Sequence, residues 1–272
     1  MGSMSEFEKV DQANWNRLAP IHAASAFYDV QSFKAGRNSL LAIEREEVGD
    51  VAGKSLLHLQ CHFGMDTLSW ARLGAQVTGV DYAQNAIELA RELSQEVGLD
   101  ARFICSSIYD LPERLNETFD VVFTSYGVLC WLPDLTRWGE VIAHFLKPGG
   151  VFYIVDGHPF ASIFYNEKDA TGLQVAYPYF QQATPETYTC DGSYATDADV
   201  HYTAYEWPHS LSEIVNAVVG AGLRLEFLHE FPCAAYQCLP FMVQGADGWW
   251  RLTEHQESVP LIFSLKAIKP QP

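Results

Sequence analysis

Leu56-Leu57-His58-Leu59-Gln60-Cys61-His62-Phe63-Gly64, followed seventeen residues later by a second strand end at Gly79-Val80-Asp81, decides how this chain folds. Each stretch begins as a short apolar run without polar alternation, the pattern of a strand buried on both faces. Each leads into a helical segment that stops at glycine: 66–73 before Gly74, and 83–97 before Gly98. Working outward, strands are predicted at 55–59, 76–80, 102–105, 119–124 and 151–155. A helix at 135–146 ends at Lys147-Pro148-Gly149-Gly150. A further helix, 210–221, precedes strands at 224–231 and 261–268. Alternating strands and helices give an α/β fold whose parallel sheet is joined by right-handed crossovers.

With 272 residues, 48% of them apolar and 19% charged, the chain has material for a large core. Seventeen Lys+Arg against 34 Asp+Glu leave a net charge of −17, and no basic cluster interrupts it, so nucleic acid is excluded as a partner. No run of 18 apolar residues is present, which excludes a membrane span. Six cysteines, Cys61, Cys105, Cys130, Cys190, Cys233 and Cys238, show neither ligand spacing nor a disulfide framework, as expected of reduced thiols in a cytoplasmic protein. Met1-Gly2-Ser3 ahead of Met4 reads as an expression scar.

Two segments break the α/β rhythm. Residues 158–208 are rich in aromatics between turn residues, too long for an unstructured loop, and predict an insertion with its own short elements. Residues 232–260 form a second excursion. At the other end, residues 1–48 read as a helical segment, with Trp15, Leu18, Ala19 and His22 at helical spacing and a second helix at 39–48.

In open α/β sheets the ligand lies beyond the carboxyl ends of the strands, where strand order reverses. That places Gln60 to Gly64 and Asp81 at the site. A carboxylate at the second strand tip can accept from both hydroxyls of a ribose, and Gly64 lets a ligand approach the backbone. A nicotinamide dinucleotide would need the full glycine-rich turn for its pyrophosphate, and only one of those glycines is present. A ribose-bearing ligand without phosphates fits better. His58, Cys61 and His62 do not make a metal site, because consecutive strand residues point to opposite faces and no fourth ligand stands at a known spacing.

On these residues the chain resembles the class I S-adenosylmethionine-dependent methyltransferases. It is most similar to a bacterial subgroup in which LLHLQCHFGMDTLSWA, here residues 56–71, replaces the usual glycine-rich motif. VTGVDYAQNAIELAR (77–91), FDVVFTSYGVLCWLPDL (119–135) and LKPGGVFYIVDGHPF (146–160) continue the likeness. WNRLAPIHAASAFYD (15–29) and PLIFSLKAIKP (260–270) extend it to nearly the whole chain.

The resemblance implies a Rossmann-like, doubly wound, seven-stranded and mostly parallel sheet. An N-terminal helical lid (1–48) covers a methyltransferase domain (49–272), with the 158–208 insertion after the fifth strand as a substrate cap. It implies S-adenosyl-L-methionine as cofactor and a small-molecule methyl acceptor attacked through oxygen, nitrogen or carbon, in a monomer or homodimer. Gln60, His62 and Gly64 would line the methionine end, Asp81 the ribose, Tyr82 the adenine face, and Ser107 and Ile108 the adenine edge. Ser125 would sit beside the sulfonium, with Tyr126 and Trp131 on the methyl-transfer side. His58 stands where the motif usually has Asp, and Gln60 and His62 replace two glycines, so the methionine end must be held by side chains. Trp15, His22, Ser25 and Tyr28 of the lid would close over it, Tyr28 toward the acceptor.

His158, directly after the fifth strand, is the candidate base for removing a substrate proton; His22, His201 and His209 are lesser ones. Competing readings are a non-catalytic cofactor-binding or scaffold protein, and a nicotinamide oxidoreductase.

Overall fold

Leu57 and Leu59 face one side of the first predicted strand and Leu56 the other, and all three are fully buried. The sheet they belong to must therefore be covered on both faces. A computed structural model describes residues 4–271; Met1, Gly2 and Ser3, read as an expression scar, lie outside them. In it β1 (Ser55–Leu59), β2 (Gln76–Asp81), β3 (Ala101–Cys105), β4 (Phe119–Ser125), β5 (Leu146–Gly157), β8 (Arg224–Phe231) and β11 (Ile262–Ile268) form one seven-stranded sheet. Its order is β3-β2-β1-β4-β5-β11-β8. The first five strands pair in parallel, and β11 runs against both β5 and β8. Strand order reverses between β1 and β4, so the carboxyl tips of β1, β2 and β4 border the crevice.

On one face α6 (Leu135–Phe145) and α7 (Leu211–Gly220) bring Trp138, Ile142, Ile214 and Val218 onto Leu57, Leu59 and Val122. On the other face lie α3 (Ala42–Val48), α4 (Met65–Arg72) and α5 (Gln84–Val97). Trp70 packs there with Leu56, Phe123 and Tyr153, and Leu68, Ile87 and Ala90 pack with Phe103. Burial of apolar surface on this scale supplies most of the drive to fold. The predicted helix stop at Lys147–Gly150 is not a linker: α6 ends at Phe145, β5 begins at once, and the Gly149 N–H donates to the Lys269 carbonyl at 2.8 Å.

The N-terminal segment holds α1 (Glu6–Ala23), started by a reciprocal Ser5/Glu8 capping box, and α2 (Val30–Lys34), followed by α3. The 158–208 segment contains an antiparallel hairpin, β6 (Glu186–Ser193) and β7 (Thr196–Glu206). The 232–260 excursion holds the small pair β9 (Met242–Gln244) and β10 (Trp250–Leu252). Three α1 side chains spaced three apart satisfy the free edge of β7. Arg17 Nη2 donates to His201 O (2.7 Å), Asn14 Nδ2 donates to Thr203 O (2.6 Å), and Asp11 Oδ1 accepts from Tyr205 N (3.0 Å). An edge strand that would otherwise leave unpaired backbone groups is thereby sealed, and the N-terminal helix is joined to the hairpin. No helix among the described residues is long and apolar enough to cross a membrane, and all six cysteines are free thiols.

Candidate cofactor and acceptor site

The chain leaves β1 through a turn in which Gln60 (φ 57°), His62 (φ 50°) and Gly64 (φ 80°) all take the left-handed conformation. For Gln60 and His62 this is uncommon and costs on the order of 1 kcal/mol each, so the surrounding contacts must hold it. Two do. Gln60 Nε2 donates to Val128 O (2.9 Å), and the His62 N–H donates to Asp81 Oδ2 (2.9 Å). Asp81 Oδ1 accepts from Ala83 N at 2.9 Å. Burial pushes the Asp81 carboxyl up to about 6, against the pull of these backbone donors. The Asp81 carboxylate thus ties the tips of β1 and β2 together, and Gln60 ties the β1 tip to the turn after β4.

Gly64 is required for a reason other than the one expected. A Cβ there would lie 2.7 Å from the Phe103 ring and 2.9 Å from Ala90 Cβ. The close approach of β3 and α5 gives Gly64 a packing role beside the one expected of it toward a ligand.

His22 of α1 is fully buried; its Nδ1 meets His62 Nε2 (3.2 Å) and its Nε2 meets Ser193 Oγ at the hairpin tip (2.7 Å). Burial lowers His22 to about 4 and His62 to about 3, so both rings are neutral at neutral pH. Trp15 stands edge-on to His62 (5.3 Å) and to Trp131 (5.4 Å), and Trp131 Nε1 donates to Gly127 O (2.7 Å). Tyr28 stacks on His22 at 5.8 Å, and its hydroxyl meets that of Tyr194 at 2.5 Å. Tyr194 in turn packs against Tyr236 of the second excursion (5.6 Å). The structure therefore brings Trp15, His22, Tyr28, Gln60, His62 and Trp131 together.

Other expected residues are placed differently. Ser107 Oγ accepts from Tyr109 N, while the Ile108 side chain is 4% exposed and packs in the core against the α6 face. The Ile108 backbone remains at the turn after β3, where the adenine edge is expected. Ser125 Oγ donates to Asp66 Oδ2 (3.4 Å), and Asp66 Oδ1 accepts from Ser39 Oγ (2.6 Å). Tyr126 (φ 41°) gives its hydroxyl to Glu44 of α3 (2.9 Å), which ties it to that helix.

Both ring nitrogens of His158, the candidate base, are engaged. Its Nδ1 accepts the Phe160 N–H (3.0 Å), so the proton sits on Nε2, which donates to Glu230 of β8 (2.7 Å). With both ring nitrogens engaged and the ring 3% exposed, His158 fastens the end of β5 to β8. His201 lies on the outer face of the hairpin beside Asp199 (2.8 Å), and His209 Nε2 donates to Leu132 O (2.7 Å).

The sequence reading passed over the buried acids. Asp156, directly after the apolar part of β5, accepts from the backbone N–H groups of Gly127, Val128, Leu129 and Gly157, fixing the turn after β4. Its position at a strand tip, like that of Asp81, was the available signal. Asp11 and Asp66 carried none, because their partners are distant in sequence, as is the Tyr126 partner of Glu44.

The donor set fits a nucleoside with an amino-acid tail. Gln60 Oε1 and the Tyr82 hydroxyl are buried without a partner in the protein, one at the tip of β1 and one at the tip of β2. A buried unpaired polar atom is costly, and an ammonium and a nucleoside hydroxyl or ring nitrogen are what such atoms accept and donate to. Among the described residues no glycine-lined anion cradle accompanies them.

A family model described as a methyltransferase domain matches residues 57–154, the span from β1 to β5 that builds this site. Over those residues the chain is similar to that methyltransferase domain family. The sequence is 32% identical over 134 residues to the ubiquinone biosynthesis O-methyltransferase of Xanthomonas euvesicatoria, covering 48% of this chain and 56% of that protein. To the enzyme of the same name from Proteus mirabilis it is 30% identical over 142 residues, 52% and 55% of the two chains. The match thus spans little more than half the length of these relatives. An S-adenosylmethionine-dependent methyltransferase from Clostridium acetobutylicum shares the fold of the methyltransferase domain, with a TM-score of 0.57 at 15% identity over 95% of this chain and all of that one. The glycopeptide N-methyltransferase MtfA, complexed with S-adenosylmethionine, does so at a TM-score of 0.55 and 16% identity over 84% and 86%.

Proposed function

We propose that this protein transfers a methyl group from S-adenosylmethionine to a small-molecule acceptor. The observation that carries the reading is the joining of the β1 and β2 tips at Asp81 and of the β1 tip to the turn after β4 through Gln60, with two unsatisfied polar atoms, Gln60 Oε1 and Tyr82 Oη, at the two strand tips. Asp81 is proposed to hold the ribose, Gln60 and His62 the methionine end, Tyr82 and the Ser107–Ile108 backbone the adenine, and Ser125 the region of the sulfonium.

The bound cofactor supplies a methyl carbon already activated by its positive sulfur. The protein then has to align the acceptor and exclude water. Trp15, Trp131 and Tyr28 supply apolar walls, and His22 and His62 close the entrance while staying uncharged, which avoids repulsion of a cationic centre. The relatives named for O-methylation support an oxygen acceptor. Calorimetric titration with S-adenosylmethionine and with S-adenosylhomocysteine tests the reading: saturable binding of both is expected, and no heat with either would refute it.

A further inference from the structure

A chain of three side chains runs from the turn after β1 to the hairpin tip. His62 Nε2 meets His22 Nδ1 (3.2 Å), and His22 Nε2 meets Ser193 Oγ (2.7 Å). The middle member comes from α1 and the outer one from the end of β6, so three segments remote in sequence each supply one link. At the inner end, His22 is the only hydrogen-bond partner of the His62 ring among the described residues, which leaves His62 Nδ1 free at the strand tip that borders the site. At the outer end, Ser193 is half-buried and its neighbour Tyr194 is 48% exposed, so the chain comes out at the surface. Between the ends it is walled from water: His22 is fully buried, Tyr28 stacks on it, and Trp15 stands edge-on to both rings at 5.8 and 5.3 Å. Among the described residues no carboxylate or cationic side chain hydrogen-bonds to either ring.

A neutral imidazole accepts at one nitrogen and donates at the other, so two in series with a hydroxyl can hand a proton along without either ring keeping a charge. We propose that His62, His22 and Ser193 are a proton relay that carries the hydroxyl proton of the methyl acceptor out to solvent. Resting on the methyltransferase reading, the relay names the acceptor class as molecules attacked through an ionisable hydroxyl. His62 is then the catalytic residue, and His22 and Ser193 are positioning residues that act through it. As the acceptor oxygen bonds to the methyl carbon, the carbon–sulfur electron pair stays on sulfur, which loses its charge. The hydroxyl proton passes to His62 Nδ1, the His62 Nε2 proton to His22 Nδ1, the His22 Nε2 proton to Ser193 Oγ, and the Ser193 proton to water. One proton leaves for each methyl transferred, and neither ring becomes a cation beside the sulfonium, where like charge would oppose it.

The first test reads protons rather than turnover. In the full chain saturated with S-adenosylhomocysteine at pH 7.5, nitrogen-15 NMR of labelled histidine reports which ring nitrogens carry hydrogen. The relay requires both rings to be neutral and protonated on Nε2, so that each proton points toward Ser193. A charged ring, or a His62 proton on Nδ1, overturns it, because the inner end could then accept nothing. The second test follows methyl transfer to catechol as the probe acceptor. Ser193→Ala is expected to lower kcat about tenfold with KM for catechol within about twofold, and Ser193→Thr, which keeps the hydroxyl, to restore kcat. An unchanged kcat in Ser193→Ala, a loss confined to KM, or no transfer to catechol by protein that binds S-adenosylhomocysteine overturns the relay. Failure to bind S-adenosylhomocysteine would instead overturn the methyltransferase reading, so the two failures are distinct. A thermal melt of each variant separates loss of the relay from loss of the fold.

Discussion

Asp81 Oδ2 accepts the His62 N–H at 2.9 Å, so the second strand tip dictates the shape of the turn that leaves the first. The other oxygen accepts from Ala83 N, and the carboxylate keeps lone pairs for a further donor. Asp81→Ala frees two N–H groups and is expected to cost about 2–4 kcal/mol of stability, with at least about tenfold weaker S-adenosylhomocysteine binding. Asp81→Asn is expected to resemble it, because its amide NH2 cannot accept from both N–H donors. Chemical denaturation and calorimetry on the two variants check this. Undiminished cofactor affinity in Asp81→Ala would show that the ribose is held elsewhere.

Gly64 provides a second prediction, one that separates packing from ligand approach. With φ at 80° and Phe103 and Ala90 within 2.9 Å of an added Cβ, Gly64→Ala must shift α5 or twist the turn. A loss of about 2–4 kcal/mol is expected. Shrinking the opposing ring with Phe103→Leu should make the Gly64→Ala penalty smaller in the double variant than in the wild-type background, a coupling that a double-mutant cycle reads directly. Additive penalties would mean that the two residues do not oppose each other.

The sheet was legible because strands buried on both faces leave unbroken apolar runs, and the glycines at 74 and 98 end helices where the pattern says they do. The hairpin was not, although Thr187-Tyr188-Thr189-Cys190 alternates. The Asp191-Gly192 pair that resembles a tight turn forms a bulge instead, and the reversal comes two residues later, between Ser193 and Thr196. At the site, Gln60, His62 and Asp81 could be placed because motif order fixes them at strand tips. The tie of His158 to Glu230 could not, for the opposite reason: Glu230 lies 72 residues away on a strand joined to β5 only through β11. Asp11 and Glu206 show the same limit, since each acquires its setting from α1 lying along β7, which no local pattern announces.

His22 makes the closure of the N-terminal helix sensitive to acid. Its folded-state pKa is about 4 against the ordinary 6.5, because burial disfavours the charged ring. Between those values the unfolded chain binds a proton that the folded chain does not, so the contribution of this residue is full above about pH 6.5 and is lost as pH falls toward 4. His22→Gln removes the contacts with His62 and Ser193 and is expected to cost about 1–3 kcal/mol at pH 7.5. At pH 5 the cost should be smaller, since the wild type has by then lost part of its advantage. Melting curves of both proteins at the two pH values check the difference; a penalty independent of pH would mean that folding leaves the His22 pKa unshifted.

Glu206 predicts the opposite slope. Burial and the nearby charge of Asp11 raise its carboxyl from 4.5 to about 7, so the folded chain holds a proton there that the unfolded chain releases above pH 4.5. Its contribution is therefore full below that value and is lost as pH rises through 7. Replacing the acid by its neutral isostere removes the dependence, and Glu206→Gln is expected to be more stable than wild type at pH 8 by about 1–2 kcal/mol, while the two converge at pH 5. Thermal denaturation at both pH values measures the difference. A Glu206→Gln variant that is less stable at pH 8 would mean that the carboxylate is already compensated within the protein.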